Sequence, residues 1–574
     1  MGFFLSPVVN VQEIDLSVTI PSVATSIGVL IARDTYKGPE LKQTLVTITD
    51  ELNAAFGDPT TSANCYKDML SAEAFLKYGN KLYVTRVMPV SATFAGGSIN
   101  NDTFTADTSA TSLTLNDLES SDPDSFDTES LTGGDMYFIA SSRGAWGNNV
   151  RISLLDYSTQ NQMISGGSQY QAFNTSGAWG EVDNRLESST DFLLLIQAKD
   201  QNKTEWATKE VWNVSTVESA VDDQGQSRFC ENKVNSNSNY IRMKLDSSMI
   251  EASITSAIMD DFMVFGGGLN NKGDTVQDAD IMTALDLYAN AEEIDVNIFI
   301  DADKSEEIKR YLISICESRK DCMAVLDCPY STVINQRGSE AVNLRNWRRG
   351  IGAGENLNEN TSYAALYGNW FEVYNRYTKK YVWVPASGYV GGIYARNDDV
   401  SDPWFAPAGL NRGIITGVRK LAWNPTLGQR DLLYSNGINP IVSFAGQGKV
   451  VWGQKNLLDK SSAFNRVNVR RLFIVLEKAI STASKYFLFE PNDPATRRTL
   501  INMIEPFLRD VKSRRGIYDF KVIADSSNNT NERIDRNELW VSIYIQPTKA
   551  AEFIQLQFIA TKTGASFDEI AAGA

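Results

Sequence analysis

The sequence predicts a multidomain protein of mixed α/β and α+β class, and three stretches carry that prediction. Between Met249 and Asp327 the pattern runs helix, loop, helix, strand, helix, strand, with the apolar runs Val296 to Ile300 and Met323 to Leu326 on either side of one helix, as in a βαβ unit. From Met136 to about Leu245 the pattern is mostly that of strands. From Trp452 to Gln546 two amphipathic helices precede further strands, an αα-plus-sheet module. A chain of 574 residues with 43% hydrophobic and 22% charged content has ordinary globular composition and length for several domains.

Each element has a local cause. Residues 1 to 20 read as an extended arm bracketed by Pro7 and Pro21, in which Ile14, Leu16, Val18 and Ile20 alternate with polar neighbours and find no obvious partner in their own chain. Residues 21 to 90 read as strand, loop, helix and strand, the first part of a core domain. Residues 91 to 134 are rich in Ser, Thr and Asp, which predicts an exposed insertion. Residues 135 to 248 form a β-rich outer domain with long loops around 156 to 190, and residues 249 to 450 an α/β middle domain with strands near Tyr363 to Tyr374 and Tyr381 to Pro385. In residues 451 to 560, a C-terminal domain, Val469, Leu472, Leu476, Ile480 and Ala483 recur at helical spacing, which places Arg466 and Arg470 off the buried stripe. Asp493 and Pro494 then supply an N-cap carboxylate and a proline at the first helical position. The second helix ends near Gly516; Leu500, Ile501, Ile504, Leu508 and Val511 make its apolar face, while Arg509, Lys512, Arg514 and Arg515 crowd the end where cations suit the helix dipole. Strands follow at Phe520 to Ala524, Leu539 to Gln546 and Phe553 to Ala560.

Composition narrows the chemistry. The chain has no histidine, which removes Ser-His-Asp and Cys-His nucleophile activation and the HExxH zinc site. A net charge of −16 argues against a general nucleic-acid coat. No run of about eighteen apolar residues predicts a membrane span, and with no Lys or Arg before Arg33 the N-terminus does not read as a signal peptide. Cys65, Cys230, Cys316, Cys322 and Cys328 form no disulfide framework and read as reduced thiols; Cys316, Cys322 and Cys328, spaced by six, match no zinc pattern and read as core packing, Cys316 late in a helix and the other two flanking the strand Met323 to Leu326. Asp301 and Asp303 follow the strand Val296 to Ile300, where paired carboxylates suit a divalent cation beside a nucleotide-sugar; the plainer reading is that Asp303 caps the helix starting near Lys304. The glycines of Phe265 to Leu269 and Gly350 to Gly354 lack the Walker ending and the GxGxxG order, and read as turns. No catalytic residue, cofactor or metal site is expected.

Several stretches resemble one family. They are Ser6-Pro7-Val8-Val9-Asn10-Val11-Gln12-Glu13-Ile14-Asp15, the run Ala74 to Val87 with Tyr78-Gly79-Asn80 and Thr85-Arg86-Val87, Arg143-Gly144-Ala145-Trp146-Gly147-Asn148-Asn149, Gly388-Tyr389-Val390-Gly391-Gly392-Ile393-Tyr394-Ala395-Arg396, Asn436-Gly437-Ile438-Asn439-Pro440-Ile441, and Trp452-Gly453-Gln454-Lys455 leading to Arg466-Val467-Asn468-Val469-Arg470-Arg471-Leu472. Together they resemble the contractile tail sheath proteins of tailed bacteriophages, related to the sheaths of contractile injection systems. One departure is Asn456, where the family more often has a small hydroxyl residue.

The resemblance implies a structural subunit, not an enzyme: a sheath core, a tube-facing C-terminal domain, inserted outer domains and terminal arms. Such subunits form a helical homo-oligomer around a tail tube protein, meet baseplate and tail terminator proteins, bind no nucleic acid and insert in no membrane; they are assembled in the host bacterial cytoplasm and end in the virion. Arms from both termini lend strands to neighbouring subunits, which makes residues 561 to 574 a C-terminal linker arm and Val8, Val11, Ile14, Leu16, Val18 and Ile20 linker candidates in the N-terminal one. About five net hydrogen bonds per lent strand at roughly 1 kcal/mol each would hold neighbours while domain faces slide. A basic C-terminal helix facing an acidic tube makes Arg509, Lys512, Arg514 and Arg515 tube-contact candidates, with Arg497 and Arg498 next, while Arg470 and Arg471 would pair with carboxylates inside the lattice. Alternative readings are a phage-derived injection device, a metal-dependent glycosyltransferase using Asp301 and Asp303, and a carbohydrate-binding adhesin using Trp370, Trp383 and Trp404.

Overall fold

A computed structural model describes residues 25–59, 62–100, 103–106, 135–166, 186–254, 262–271, 273–352 and 354–556. The described residues fall into two compact units, one within Pro21–Ala483 and one within Ser484–Ala574. Both predicted arms, including Val8, Val11, Ile14, Leu16, Val18 and Ile20, lie outside the described residues.

The larger unit is built on a seven-stranded sheet, in the order Ile438–Asn439, Ala364–Tyr367, Met323–Asp327, Ile298–Ile300, Gly28–Arg33, Leu82–Val87 and Thr44–Val46. All neighbouring pairs are parallel except the last, where Thr44–Val46 runs antiparallel at the edge. The predicted βαβ unit is Ile298–Ile300, the helix Glu306–Arg319 and Met323–Asp327. Strands of a parallel sheet are covered on both faces, and alternate residues of Gly28–Arg33 divide accordingly. Leu30 and Ala32 join a first layer with the helices Ala63–Leu76, Ser387–Val400 and Val467–Ser484; Val29 and Ile31 join a second with the helices Asp278–Asp286, Glu306–Arg319 and Glu340–Arg349. The expected helix after Met249 is absent from the described residues 250–254 and 262–271, which instead carry the short strand Met263–Val264.

The described part of residues 135–248 is β-rich, as expected. One antiparallel sheet runs Ile241–Leu245, Met136–Ala140, Gly96–Asn100, Thr103–Ala106; another runs Met263–Val264, Val150–Asp156, Asp191–Lys199, Trp206–Ser215, and the two share one core. Part of the predicted exposed insertion is therefore structural, with Ala95 and Ile99 buried in that core. Tyr157–Gly166 is a helix where a long loop was expected.

Two resemblance motifs have physical roles here. Gly388 and Gly392 let the helix Ser387–Val400 touch the helix Ala63–Leu76: a Cβ on Gly388 would lie 2.3 Å from the Ser71 carbonyl oxygen, and one on Gly392 would lie 3.1 Å from Phe75 backbone. Arg86 and Arg143 share Glu40, at 3.2 and 2.6 Å, which ties the β-rich region to the central sheet. Arg86 also donates to the carbonyl oxygens of Thr35, Gly38 and Arg143. Complete burial lowers its pKa to about 10 despite Glu40.

In the smaller unit the Asp493 carboxylate accepts from Thr496 N at 2.7 Å and Pro494 opens the helix Pro494–Ser513, as predicted. Leu500, Ile504, Leu508 and Val511 form its buried stripe. It packs on an antiparallel pair, Ile517–Ile523 with Ser542–Pro547. The third predicted strand is not formed over Phe553–Leu556, and residues 557–560 lie outside the described residues. The first helix of the expected αα pair, Val467–Ser484, groups with the larger unit, because Val467 and Ile474 pack into the first layer of the central sheet.

Candidate functional site

At the middle of the sheet the chain order reverses. Gly28–Arg33 has Leu82–Val87 on one side and Ile298–Ile300 with all later parallel strands on the other. In open α/β sheets the crevice at the carboxyl ends of such strands is where ligands bind. Here that crevice is filled by the chain's own charges.

The Arg33 guanidinium grips Asp68 through Nε at 2.8 Å and a second nitrogen at 2.9 Å, and the Arg33 amide donates to the same carboxylate at 2.9 Å. Lys304 reaches Asp68 Oδ1, which the second Arg33 nitrogen also contacts, at 2.8 Å. Burial alone would raise the Asp68 pKa, but Arg33 and Lys304 overcome it and hold the carboxyl below its ordinary value. Lys304 pays for its own burial beside Arg33 and falls to about 8. One layer further in, Lys309 lies 3.3 Å from Asp301, which also accepts from Lys304 N at 3.1 Å and Asp327 N at 2.9 Å. Asp327 accepts from Ser387 N at 2.7 Å, and Ser387 Oγ in turn accepts from Ala302 N at 3.0 Å. Burial, then the neighbouring Asp301 charge, raises Asp327 to about 7.

Asp301 and Asp303 do not converge on a shared ion. Ala302 and Asp303 turn through the left-handed region, φ 51° and 57°, which sends Asp303 outward to Lys67 at 2.5 Å while Asp301 stays inside on Lys309. The helix cap is not Asp303 but Ser305, whose hydroxyl accepts from Ile308 N. Among the described residues no group of three His, Cys, Asp or Glu is arranged to hold a metal ion. The arrangement cross-braces two strands and three helices. Residue types alone did not reveal it, since Arg33 and Asp68 belong to separate elements.

Other candidates are relocated. Arg470 and Arg471, expected to pair with carboxylates inside a sheath lattice, are buried within this chain: Arg471 pairs with a carboxylate of its own chain, Asp398, at 2.5 Å, and Arg470 lies 4.4 Å from the ring centres of both Tyr363 and Phe464. Trp370 is buried, donating to the Cys328 carbonyl at 2.9 Å, and Trp404 is buried too, while Lys420 covers Trp383, so the three make no glycan platform. All five cysteines are buried; as predicted, Cys316 lies late in its helix and Cys322 and Cys328 flank the strand Met323–Asp327. Asn456, the departure from the family pattern, donates to the carbonyls of Ser362 and Phe464 at 3.2 and 2.5 Å.

The basic helix end has the exposure a contact requires. Arg509 pairs with Glu505 at 2.8 Å, Lys512 with Asp519 at 2.8 Å and Arg514 with Asp510 at 3.5 Å, all at the surface. Arg515 and Arg498 are exposed. Arg497 is only 7% exposed and its guanidinium is spent on Asn492 Oδ1 at 2.8 Å.

A doubly wound core whose strand-end crevice is filled by ion pairs, joined to two antiparallel sheets, defines a mixed α/β protein. The chain belongs to the phage tail sheath family. Residues 274–457 match the phage tail sheath protein central domain and residues 459–561 the phage tail sheath C-terminal domain, together about half of the chain. It is 40% identical over 379 residues, 63% of this chain and 55% of the relative, to the tail sheath protein of Vibrio phage KVP40. The chain spans about half the length of the curated relatives it matches. In fold it is similar to a sheath tail protein from Listeria innocua, with a TM-score of 0.53 at 11% identity, covering 92% of this chain and 96% of that one. It is also similar to the sheath of an extracellular contractile injection system in its contracted state, with a TM-score of 0.50 at 15% identity, covering 98% and 99% of the two chains.

Proposed function

We propose that this chain is the structural subunit of a contractile phage tail sheath, which assembles helically around the tail tube and contracts to drive it through the bacterial envelope. The observation that carries this reading is that the matches to the sheath central and C-terminal domains take in residues 274–457 and 459–561, which include four of the seven central strands and reach into the C-terminal unit. The curated relatives are phage proteins, which favours the virion over a phage-derived device. Assembly would take place in the host cytoplasm, with the tube, baseplate and terminator proteins as partners. Terminal arms, residues 1 to 20 and 561 to 574, would link neighbours by strand addition.

Arg509, Lys512, Arg514 and Arg515, with Arg498, are the tube-facing set; Arg497 is withdrawn from it by burial. Exposed ion pairs such as Arg514 with Asp510 are worth about 0–1 kcal/mol, so exchanging Asp510 for a tube carboxylate costs little. Reversing both Arg514 and Arg515 to Glu is expected to abolish co-assembly with tube while leaving the fold intact; unchanged co-assembly would remove this assignment. The function itself is tested by electron microscopy of the purified protein, intact and lacking residues 1 to 20. Hollow ridged tubes from the intact chain that vanish on deletion are expected, and dispersed particles with or without added tube would overturn the reading.

A further inference from the structure

The hairpin Trp370–Asn375 with Lys380–Pro385 packs inward through Phe371, Val373 and Val384 against the first layer of the central sheet. Its other face is buried at Trp370 and exposed toward the turn. There Tyr374 and Tyr381 remain 50% and 53% exposed with ring centres 5.3 Å apart. Arg419 lies 4.2 Å over Tyr381, and Lys420 5.3 Å over Trp383. Arg376, Lys379 and Lys380 stand exposed at the turn. Among the described residues the carboxylates paired with this cluster are Glu372 and Glu73, so five cations face two acids. In a chain of net charge −16 that is a local reversal of sign.

A patch of opposite sign covers the second layer. The helix Asp278–Asp286, packed through Ile281 and Leu285, and the loop after it contain no Lys or Arg from residue 273 to residue 303. Asp286, Glu292, Glu293 and Asp295 are exposed there. Asp286 accepts from Tyr311 and Asp295 from Lys478, which anchor the patch without making it basic.

We propose that the basic aromatic hairpin of one subunit docks on the acidic helix and loop of a second copy of this chain. The inference rests on the sheath reading and names a surface for it. Tyrosine and arginine together on an exposed face are the residue types that anchor protein interfaces, and opposite charges fix the register of docking. The two patches are different and belong to opposite layers of one sheet, so the contact is heterologous and head-to-tail, the kind that builds an open helical array when its rotation does not close into a ring.

The test uses the full chain in three samples beside the parent: Lys379→Glu with Lys380→Glu and Arg419→Glu; Asp286→Lys with Glu292→Lys and Glu293→Lys; and an equimolar mixture of the two. All the substituted side chains are exposed, and circular dichroism melts check folding. The parent assembles, and each variant alone is expected to need about tenfold more protein to do so, since like charges then meet at the contact. In the mixture every contact between unlike subunits again joins opposite charges, so the alternating array should form near the parental concentration. If the hairpin variant assembles as the parent does, or if both variants fail and mixing restores nothing, the proposal is overturned and the sheath reading stands. Failure of the hairpin variant alone, with normal assembly of the acidic variant, overturns it too and assigns the hairpin to another acidic partner such as the tube. A parent that forms no tubes at any concentration, with or without tube protein, removes the sheath reading itself.

Discussion

Arg470 and Arg471 sit side by side on the helix Val467–Ser484, and their different settings show how burial assigns a role to an arginine. Arg471 answers the Asp398 carboxylate, whose pKa burial would otherwise raise further, and Arg470 is held between two rings. Arg471→Leu strands Asp398 in the core, and urea unfolding is expected to read a loss of about 3–5 kcal/mol, most of it recovered by adding Asp398→Leu. Asp327 makes the opposite kind of prediction. Its folded pKa, about 7, stands above the ordinary 3.8, so the folded state holds a proton that the unfolded chain has already released. Stability from this group is complete below the unfolded value and is lost as pH rises through about 7. Asp327→Asn, which stays neutral, should therefore gain stability relative to the parent as pH goes from about 5 to about 8, measured as a widening difference in melting temperature. Equal differences at both ends would show that Asp327 is ionised throughout.

At the scale of elements, close approach sets the limits. The helix Ser387–Val400 lies on the helix Ala63–Leu76 with Gly388 against the Ser71 carbonyl, and Gly388→Ala forces the two apart, an overpacking cost of about 1–3 kcal/mol or more in denaturant unfolding. A variant as stable as the parent would mean that the helices shift freely. Elements with a strong local signal were legible in the sequence. The βαβ unit was, because Val296 to Ile300 and Met323 to Leu326 are apolar runs between polar boundaries, and so was the start at Asp493 and Pro494. The strand Gly96–Asn100 was not, because Gly96, Gly97, Ser98 and Asn100 carry no apolar alternation; its place comes from pairing with Met136–Ala140. Ser305 was missed as a cap because Asp303, two residues earlier, suits the role equally well by residue type; only the left-handed turn at Ala302 and Asp303 separates them.

At the scale of the whole molecule, charge and chain continuity meet. If exposed patches of opposite sign set the register of assembly, raising ionic strength should increase the concentration needed for tubes, since exposed charges are screened over about 10 Å at 0.1 M salt and over less above it; an array indifferent to salt would place its energy in the arms alone. By itself the sequence determined the mixed α/β class, the β-rich outer region, the absence of histidine chemistry and the membership of a sheath family, because these depend on periodicity, composition and contiguous motifs. The tertiary structure decided the rest: that the crevice at the strand ends is closed by Arg33, Asp68, Lys304, Asp301 and Lys309, that Arg470, Arg471 and Arg497 are inside, and that the hairpin cations and the acidic helix belong to opposite layers. Those facts depend on which distant segments the sheet brings together, and a charge becomes clamp or contact only once its burial and its partner are settled in space.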